Sequence, residues 1–309
     1  MYFDIATKSY IPLCNKPNCQ HDSEECNAFF NNYSIVGDVT YISNYIQYYD
    51  GYVYVIAVDE KSGYVYLYQI SPDGSSSKEY MTLYKADLSS VNGEVDFHSP
   101  NVCIHRGYVY FIDNGESAPK IRRIELGKKK AQIVFENKNT RPHLYRMEAY
   151  GDYLFFQSGN FIDDDCIEIE AGIFALNINT AQVQLIKKGG VADYTISNGC
   201  LYYATTSGIN CYSLKDRTDE AVVDNGLSLN EVMVHGKYIY CYNDASYTLS
   251  QYDLEGKLLC QVTDGDLNQT CMGDSQYFFA YASKAGRKIV SVKDLSQGNA
   301  KWSALKETK

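Results

Sequence analysis

Gly51-Tyr52-Val53-Tyr54-Val55 returns along the chain as Gly107-Tyr108-Val109-Tyr110-Phe111, Gly151-Asp152-Tyr153-Leu154-Phe155-Phe156, Gly199-Cys200-Leu201-Tyr202-Tyr203, Gly236-Lys237-Tyr238-Ile239-Tyr240 and Gly273-Asp274-Ser275-Gln276-Tyr277-Phe278-Phe279. A glycine or turn residue followed by an aromatic and aliphatic run is the mark of a strand leaving a tight turn. The copies start 56, 44, 48, 37 and 37 residues apart, which centres on the roughly 40 to 50 residues of a four-stranded propeller blade. The longer steps predict longer loops in the early blades.

A second run follows each copy after a polar turn: Val65 to Ile70, Ile121 to Leu126, Ile173 to Ile178, Ile209 to Leu214, Leu249 to Leu254 and Ile289 to Leu295. Together the two runs make a hairpin. Pro72-Asp73-Gly74, Asp113-Asn114-Gly115, Asn179-Thr180, Glu255-Gly256 and Asp264-Gly265 punctuate the pattern as turns. In the first copy Val53 and Val55 point to one side and Tyr52, Tyr54 and Ile56 to the other, so both faces are apolar. A strand stacked between two neighbouring sheets needs that pattern, whereas a one-sided sheet alternates apolar with polar.

The sequence therefore predicts an all-β chain: a β-propeller of four-stranded antiparallel blades with six full repeats, at 35–85, 86–139, 140–188, 189–225, 226–265 and 266–309. The opening residues Tyr2 to Thr7 and Lys8 to Leu13 repeat the outer half of the motif without its inner half, which gives an outer hairpin over 1–13 and a Cys/His loop over 14–34. Either residues upstream are missing, or this hairpin completes the blade begun near the C-terminus. Ala300 to Leu305 offers that last blade an outer strand of its own, so seven ring positions are favoured over a closed six.

Composition agrees with strands and narrows the partners. Tyrosine occurs 30 times against a single Trp302, and its ring packs on a pleated surface while its hydroxyl reaches a polar edge. A formal charge of -10 repels phosphate backbones and anionic lipid, which excludes nucleic acid as the expected partner. No run approaches the roughly 18 apolar residues of a membrane helix, and Met1-Tyr2-Phe3-Asp4 has neither the basic flank nor the apolar stretch of a signal peptide.

With the repeats laid out, the chain resembles the bacterial low-density-lipoprotein-receptor-like β-propellers, a family of uncharacterised function typical of exported lipoproteins of Gram-positive gut anaerobes. Lys120-Ile121-Arg122-Arg123-Ile124-Glu125-Leu126 is similar to that family's outer strand, and Pro12 to Ala28 to a signature of the same lipoproteins. The resemblance implies an extracellular or cell-envelope location. The hallmark tetrapeptide of the receptor propellers is absent, so receptor-like ligand chemistry does not carry over.

Cys14-x4-Cys19-x-His21-x4-Cys26 sets three thiols and one imidazole in a single loop, the number and softness of a tetrahedral zinc site. Four protein ligands would close such a site and make it structural. A disulfide with a spare thiol, or simply free cysteines, are the competing readings. Cys103, Cys166, Cys200, Cys211, Cys241, Cys260 and Cys271 show no paired short spacing and read as small core hydrophobes. Ten cysteines without a framework suit a reducing or anaerobic setting.

Asp163-Asp164-Asp165-Cys166-Ile167-Glu168-Ile169-Glu170 concentrates carboxylates but lacks the spacing of a calcium loop, and reads as a solvated acidic loop. Nucleophile elbows, zinc-protease helices and phosphate-binding glycine loops are all missing from the sequence. His98, His105, His143 and His235 have no nucleophile beside them in sequence. The expected function is non-catalytic recognition of a protein or carbohydrate by a monomer. The alternative is a carbohydrate-active or peptide-degrading enzyme with carboxylates from different blades meeting in the central channel.

Overall fold

The computed structural model describes residues 2–4, 9–23, 25–28, 33–36, 39–42, 45–58, 62, 64–85, 102–113, 118–138, 142–161, 168–189, 191–226, 229–265, 267–272, 276–282, 286–297 and 301–305. Two short pairs open the chain: β1 (Tyr2–Asp4) with β2 (Ser9–Ile11), and β3 (Tyr33–Val36) with β4 (Val39–Ile42). Six four-stranded antiparallel sheets follow, each a meander in which sequence neighbours pair. They are β5 (Ile46–Tyr49) to β8 (Ser77–Lys85) through β6 (Tyr52–Val58) and β7 (Tyr64–Ile70); β9 (Val102–His105), β10 (Tyr108–Asp113), β11 (Lys120–Glu125) and β12 (Gln132–Glu136); and β13 (Pro142–Tyr150), β14 (Tyr153–Phe161), β15 (Glu168–Asn177) and β16 (Val183–Lys188). The later three are β17 (Tyr194–Ser197), β18 (Cys200–Ala204), β19 (Gly208–Ser213) and β20 (Asp219–Asp224); β21 (Glu231–His235), β22 (Tyr238–Asn243), β23 (Thr248–Asp253) and β24 (Leu258–Thr263); and β25 (Leu267–Met272), β26 (Tyr277–Ala282), β27 (Gly286–Ser291) and β28 (Ser303–Ala304). The chain divides into two compact units, one holding the first three blades and the other the last three, with the boundary at Gly189 and Gly190.

Each core lies between adjacent blades, which is why the repeated strand is apolar on both sides. In the first unit Val109 and Phe111 of β10 join Tyr54, Ile56, Val65 and Leu67 of the first blade. Their alternates, Tyr110 and Ile112, join Leu144, Leu154, Phe156 and Leu176 of the third. The second unit repeats the device: Ile239 and Cys241 of β22 face Tyr202 and Ile209 of the fourth blade, whereas Tyr240 faces Phe278 and Val290 of the sixth.

The turn entering the repeated strand has a conformation the sequence discloses through its glycine. In Asp50-Gly51, Arg106-Gly107 and Asn198-Gly199 both residues have positive φ, and the flanking residues pair directly, as Tyr49 with Tyr52, His105 with Tyr108 and Ser197 with Cys200. Two residues of positive φ make the two-residue hairpin whose twist matches the strands it joins.

Burying a strand on both faces also buries tyrosine hydroxyls, and the strands solve this in register. Tyr54 lies opposite Gln69, Tyr110 opposite Arg123 and Tyr240 opposite Gln251. Gln69 Nε2 donates to Tyr54 Oη at 2.8 Å and Gln251 Nε2 to Tyr240 Oη at 3.1 Å, whereas Arg123 donates to Gln132 Oε1 and Ile178 O and stacks over the Tyr108 ring, and among the described residues the Tyr110 hydroxyl has no such bond. In the third blade the same position holds Phe155 opposite Ala175, with no hydroxyl to satisfy.

Polar side chains stitch the blades within each unit. Gln47 of β5 accepts from Ile104 N and donates to Ile104 O, both at 2.8 Å, so its amide replaces a missing strand neighbour for β9. Asn137 Nδ2 donates to Ser158 Oγ between the second and third blades, Asp193 Oδ2 accepts from Val232 N, and Asn225 Nδ2 donates to Tyr252 Oη between the fourth and fifth.

The run Ile289 to Leu295 is expected as one strand, but β27 stops at Ser291 and a short helix, α1 (Val292–Ser296), follows. Ser291 Oγ accepts from Asp294 N at 3.3 Å, the N-cap bond that starts a helix, and Leu295 is carried into the core. Leu214, Lys215 and Asp216 form the turn between β19 and β20. Among the described residues no helix is long and apolar enough to cross a membrane.

Gln251→Leu leaves the fully buried Tyr240 hydroxyl without its partner and should cost about 1–3 kcal/mol in urea unfolding. Adding Tyr240→Phe should recover part of that loss, and a double variant weaker than the sum of its singles would contradict the pairing. Gln47→Met should destabilise by about as much and speed hydrogen exchange at the Ile104 amide, a local effect that uniform destabilisation does not produce.

Candidate metal centre

The loop between β2 and β3 is built by short turns and by contacts to the first blade. Cys14 N donates to Pro12 O at 2.8 Å, Cys19 N to Lys16 O at 3.3 Å and Cys26 N to Ser23 O at 3.0 Å. Pro17 and Asn18 form the centre of the Lys16–Cys19 turn, and Asn18 has φ +62°, the pattern a turn with proline second and asparagine third favours. The Lys16 ammonium donates to the Glu25 carbonyl and ties the two halves of the loop together.

These turns bring together all four residues singled out by the sequence. One ligand atom from each of Cys14, Cys19, His21 and Cys26 lies within 4.8 Å of every other. His21, itself at φ +60°, puts Nδ1 3.3 Å from Cys26 Sγ. Around a tetrahedral zinc with bonds near 2.0 and 2.3 Å, neighbouring ligand atoms sit about 3.5 to 3.8 Å apart. A contraction of about an ångström at most would therefore complete the site. The four residues can hold a metal ion, Cys26 being buried and the other three half-buried.

The backbone around the sulfurs favours thiolate. Burial pushes the Cys14 thiol up, but N–H groups of Lys16 and Asn27, with help from Cys26 and Cys19, outweigh it and hold Cys14 below the ordinary thiol value. Cys26 is pushed up to about 11 by burial, against the Ala28 N–H, with Cys14 and Cys19 adding to the rise. Ala28 N donates to Cys26 Sγ at 3.3 Å. Ionising one thiol thus resists ionising the next, and a bound dication removes that conflict because it coordinates all of them as thiolates.

One support for the loop is invisible in the Cys/His spacing. Asn27 is buried, its N–H faces Cys14 and its Nδ2 donates to Gly74 O at 2.9 Å. Asn15 N donates to the same carbonyl at 3.1 Å. Gly74 belongs to the β7–β8 turn, which the sequence marks only as a turn.

The remaining cysteines divide by burial. Cys103, Cys241 and Cys260 are core residues, and burial pushes the Cys241 thiol up to about 12. Cys200 and Cys211, on the paired strands β18 and β19, flank Tyr202. Of the carboxylate run, 163–167, Cys166 among them, lie outside the described residues, as does His98, while Glu168 and Glu170 belong to β15, His143 to β13 and Cys271 to β25. His105 Nε2 lies 2.8 Å from Gly151 O, and Arg106 beside it pairs with Asp152; these are links between turns of the second and third blades. His235 ends β21.

No family model and no curated protein matches the sequence. Among solved structures the chain is similar to the computationally designed Ika8 protein, with TM-score 0.57 and 10% identity over 87% of this chain and 76% of that one. It is also similar to KlHsv2 with loop 6CD replaced by a Gly-Ser linker, with TM-score 0.50 and 11% identity over 77% and 73%. BamB from Moraxella catarrhalis matches with TM-score 0.48 and 12% identity over 80% and 70%. At such identities likeness speaks for architecture alone, and with its six four-stranded meanders the chain has the β-propeller fold.

Proposed function

We propose that this protein is a non-catalytic recognition propeller whose N-terminal loop is fixed by a structural zinc ion on Cys14, Cys19, His21 and Cys26. The observation that carries the zinc reading is the convergence of all four ligand atoms within 4.8 Å. His21 favours it over a disulfide with a spare thiol, since a disulfide gives no reason for an imidazole to face the sulfurs. Zinc would supply charge and a rigid four-way junction, and with every position taken by protein it has none left for a substrate.

Recognition is supported by aromatic side chains left in water on a rigid scaffold. On the first blade Ile46 and Tyr48 are 64% and 66% exposed, and Tyr52 and Tyr64 are exposed as well. Lys85 lies over the Tyr64 ring at 5.5 Å. Tyrosine with a neighbouring cation suits a protein or carbohydrate ligand, because the ring offers a flat apolar face and a polar tip. The family resemblance adds an extracellular or cell-envelope location, and the negative charge argues against nucleic acid. A monomer is the expected state.

Purified protein should carry one zinc per chain, measured by elemental analysis, and lose it on replacement of Cys14, Cys19, His21 or Cys26. Cobalt in its place should give the intense visible bands of a tetrahedral thiolate site. Metal-free protein whose thiols appear only after reduction would overturn the zinc reading in favour of a disulfide. Chelation should lower the melting temperature while leaving the far-ultraviolet β signal in place, because among the described residues the core clusters of the blades contain none of the four ligands. Tyr48→Ala and Tyr64→Ala should leave folding intact and weaken capture of glycans on an array or of a cell-surface protein partner. Unchanged capture by both variants would remove the first blade as the recognition surface.

A further inference from the structure

We infer that the Ser71–Ser76 turn of the first blade is the outer support of the metal centre, with Gly74 and Asn27 as positioning residues that couple zinc affinity to docking of the loop. The inference rests on the zinc reading and goes beyond it by naming what holds the ligands in place.

The turn is built as a rigid seat. Ser71 N donates to Ser76 O at 3.0 Å and Gly74 N to Ser71 O at 2.9 Å. Ser76 N donates to Ser71 Oγ at 2.9 Å, and Ser75 donates to Asp73 Oδ1 through N at 3.0 Å and Oγ at 2.7 Å. Hydrogen bonds from the Ser75 N–H, then from the Ser71 and Ser75 hydroxyls, hold the Asp73 carboxyl down at about 2, so it stays an ionised acceptor at any working pH.

The seat and the loop meet at Gly74, whose carbonyl takes both Asn15 N and Asn27 Nδ2. Gly74 has φ +71°, and a Cβ there would stand 2.8 Å from Cys14 N and from Leu13 C. Those are backbone atoms of the peptide bond that leads into the ligand Cys14, and they have no flexible end that can swing aside. Any side chain at 74 must push Cys14 away from the seat. Asn27 closes the circuit, because it binds the seat through its side chain while its own N–H faces the Cys14 sulfur. Outer-shell groups of this kind orient the ligands and typically change metal affinity by about 10- to 100-fold when removed.

The test compares zinc affinity, by competition with a chromophoric chelator, in the intact chain, Gly74→Ala, Asn27→Ala and Asn27→Ser, with Gln251→Leu as a destabilised control in the other unit. Gly74→Ala and Asn27→Ala should bind one zinc at saturation but about 10- to 100-fold more weakly. Asn27→Ser should recover part of the loss, and Gln251→Leu should bind as the intact chain does. In the reverse direction, chelation should speed hydrogen exchange at the Asn15 amide and leave the Ala181 amide, in the remote Asn177–Gln182 turn, unchanged. If the intact chain binds no zinc, the zinc reading and this inference fall together. If it binds zinc and Gly74→Ala and Asn27→Ala match it, or if Asn15 stays equally protected without metal, the inference alone falls. Should Gly74→Ala not fold, Asn27→Ala and the Asn15 exchange decide.

Discussion

Sheets stacked face against face leave no water on either side of their middle strands, and this double burial governs the structure. It demands apolar residues at consecutive positions, as Val109, Tyr110, Phe111 and Ile112 show by serving two cores in turn. It also turns every tyrosine hydroxyl and unpaired strand edge in the seam into a debt, since a buried polar group without a partner costs about as much as one or two good hydrogen bonds return. Gln69 and Gln251 on the facing strands, and Gln47 and Asp193 at the strand edges, are answers to that one constraint.

Much of this was legible in the sequence because the constraint acts locally. Double burial writes itself into four or five consecutive residues, and a two-residue turn of positive φ writes a glycine just ahead of them, so the six blades could be found by their inner hairpins. The partner of each tyrosine was not legible. Gln251 lies eleven residues beyond Tyr240 in a run that also reads as an ordinary outer strand, and only the register brings the two together. The helix at Val292 was missed for a related reason: Val290 and Val292 continue a strand pattern, and the cap that ends it is a single serine.

The metal centre divides in the same way. Cys14, Cys19, His21 and Cys26 stood out because soft ligands cluster within thirteen residues of chain. Gly74 did not, being separated from Asn27 by 47 positions and resembling any other turn glycine. Its role comes from an absence, the missing Cβ, and an absence acquires meaning only when another backbone is seen to lie against it.

The stitches differ from one seam to the next: an amide reading a strand edge between the first and second blades, an asparagine with a serine between the second and third, a carboxylate under a backbone amide between the fourth and fifth. Blades that look interchangeable as repeats are therefore not interchangeable as neighbours. A blade placed in the wrong seam would meet polar atoms with no counterpart, so these few groups act as addresses that fix the order of units built on one plan and penalise swapped or out-of-sequence assembly.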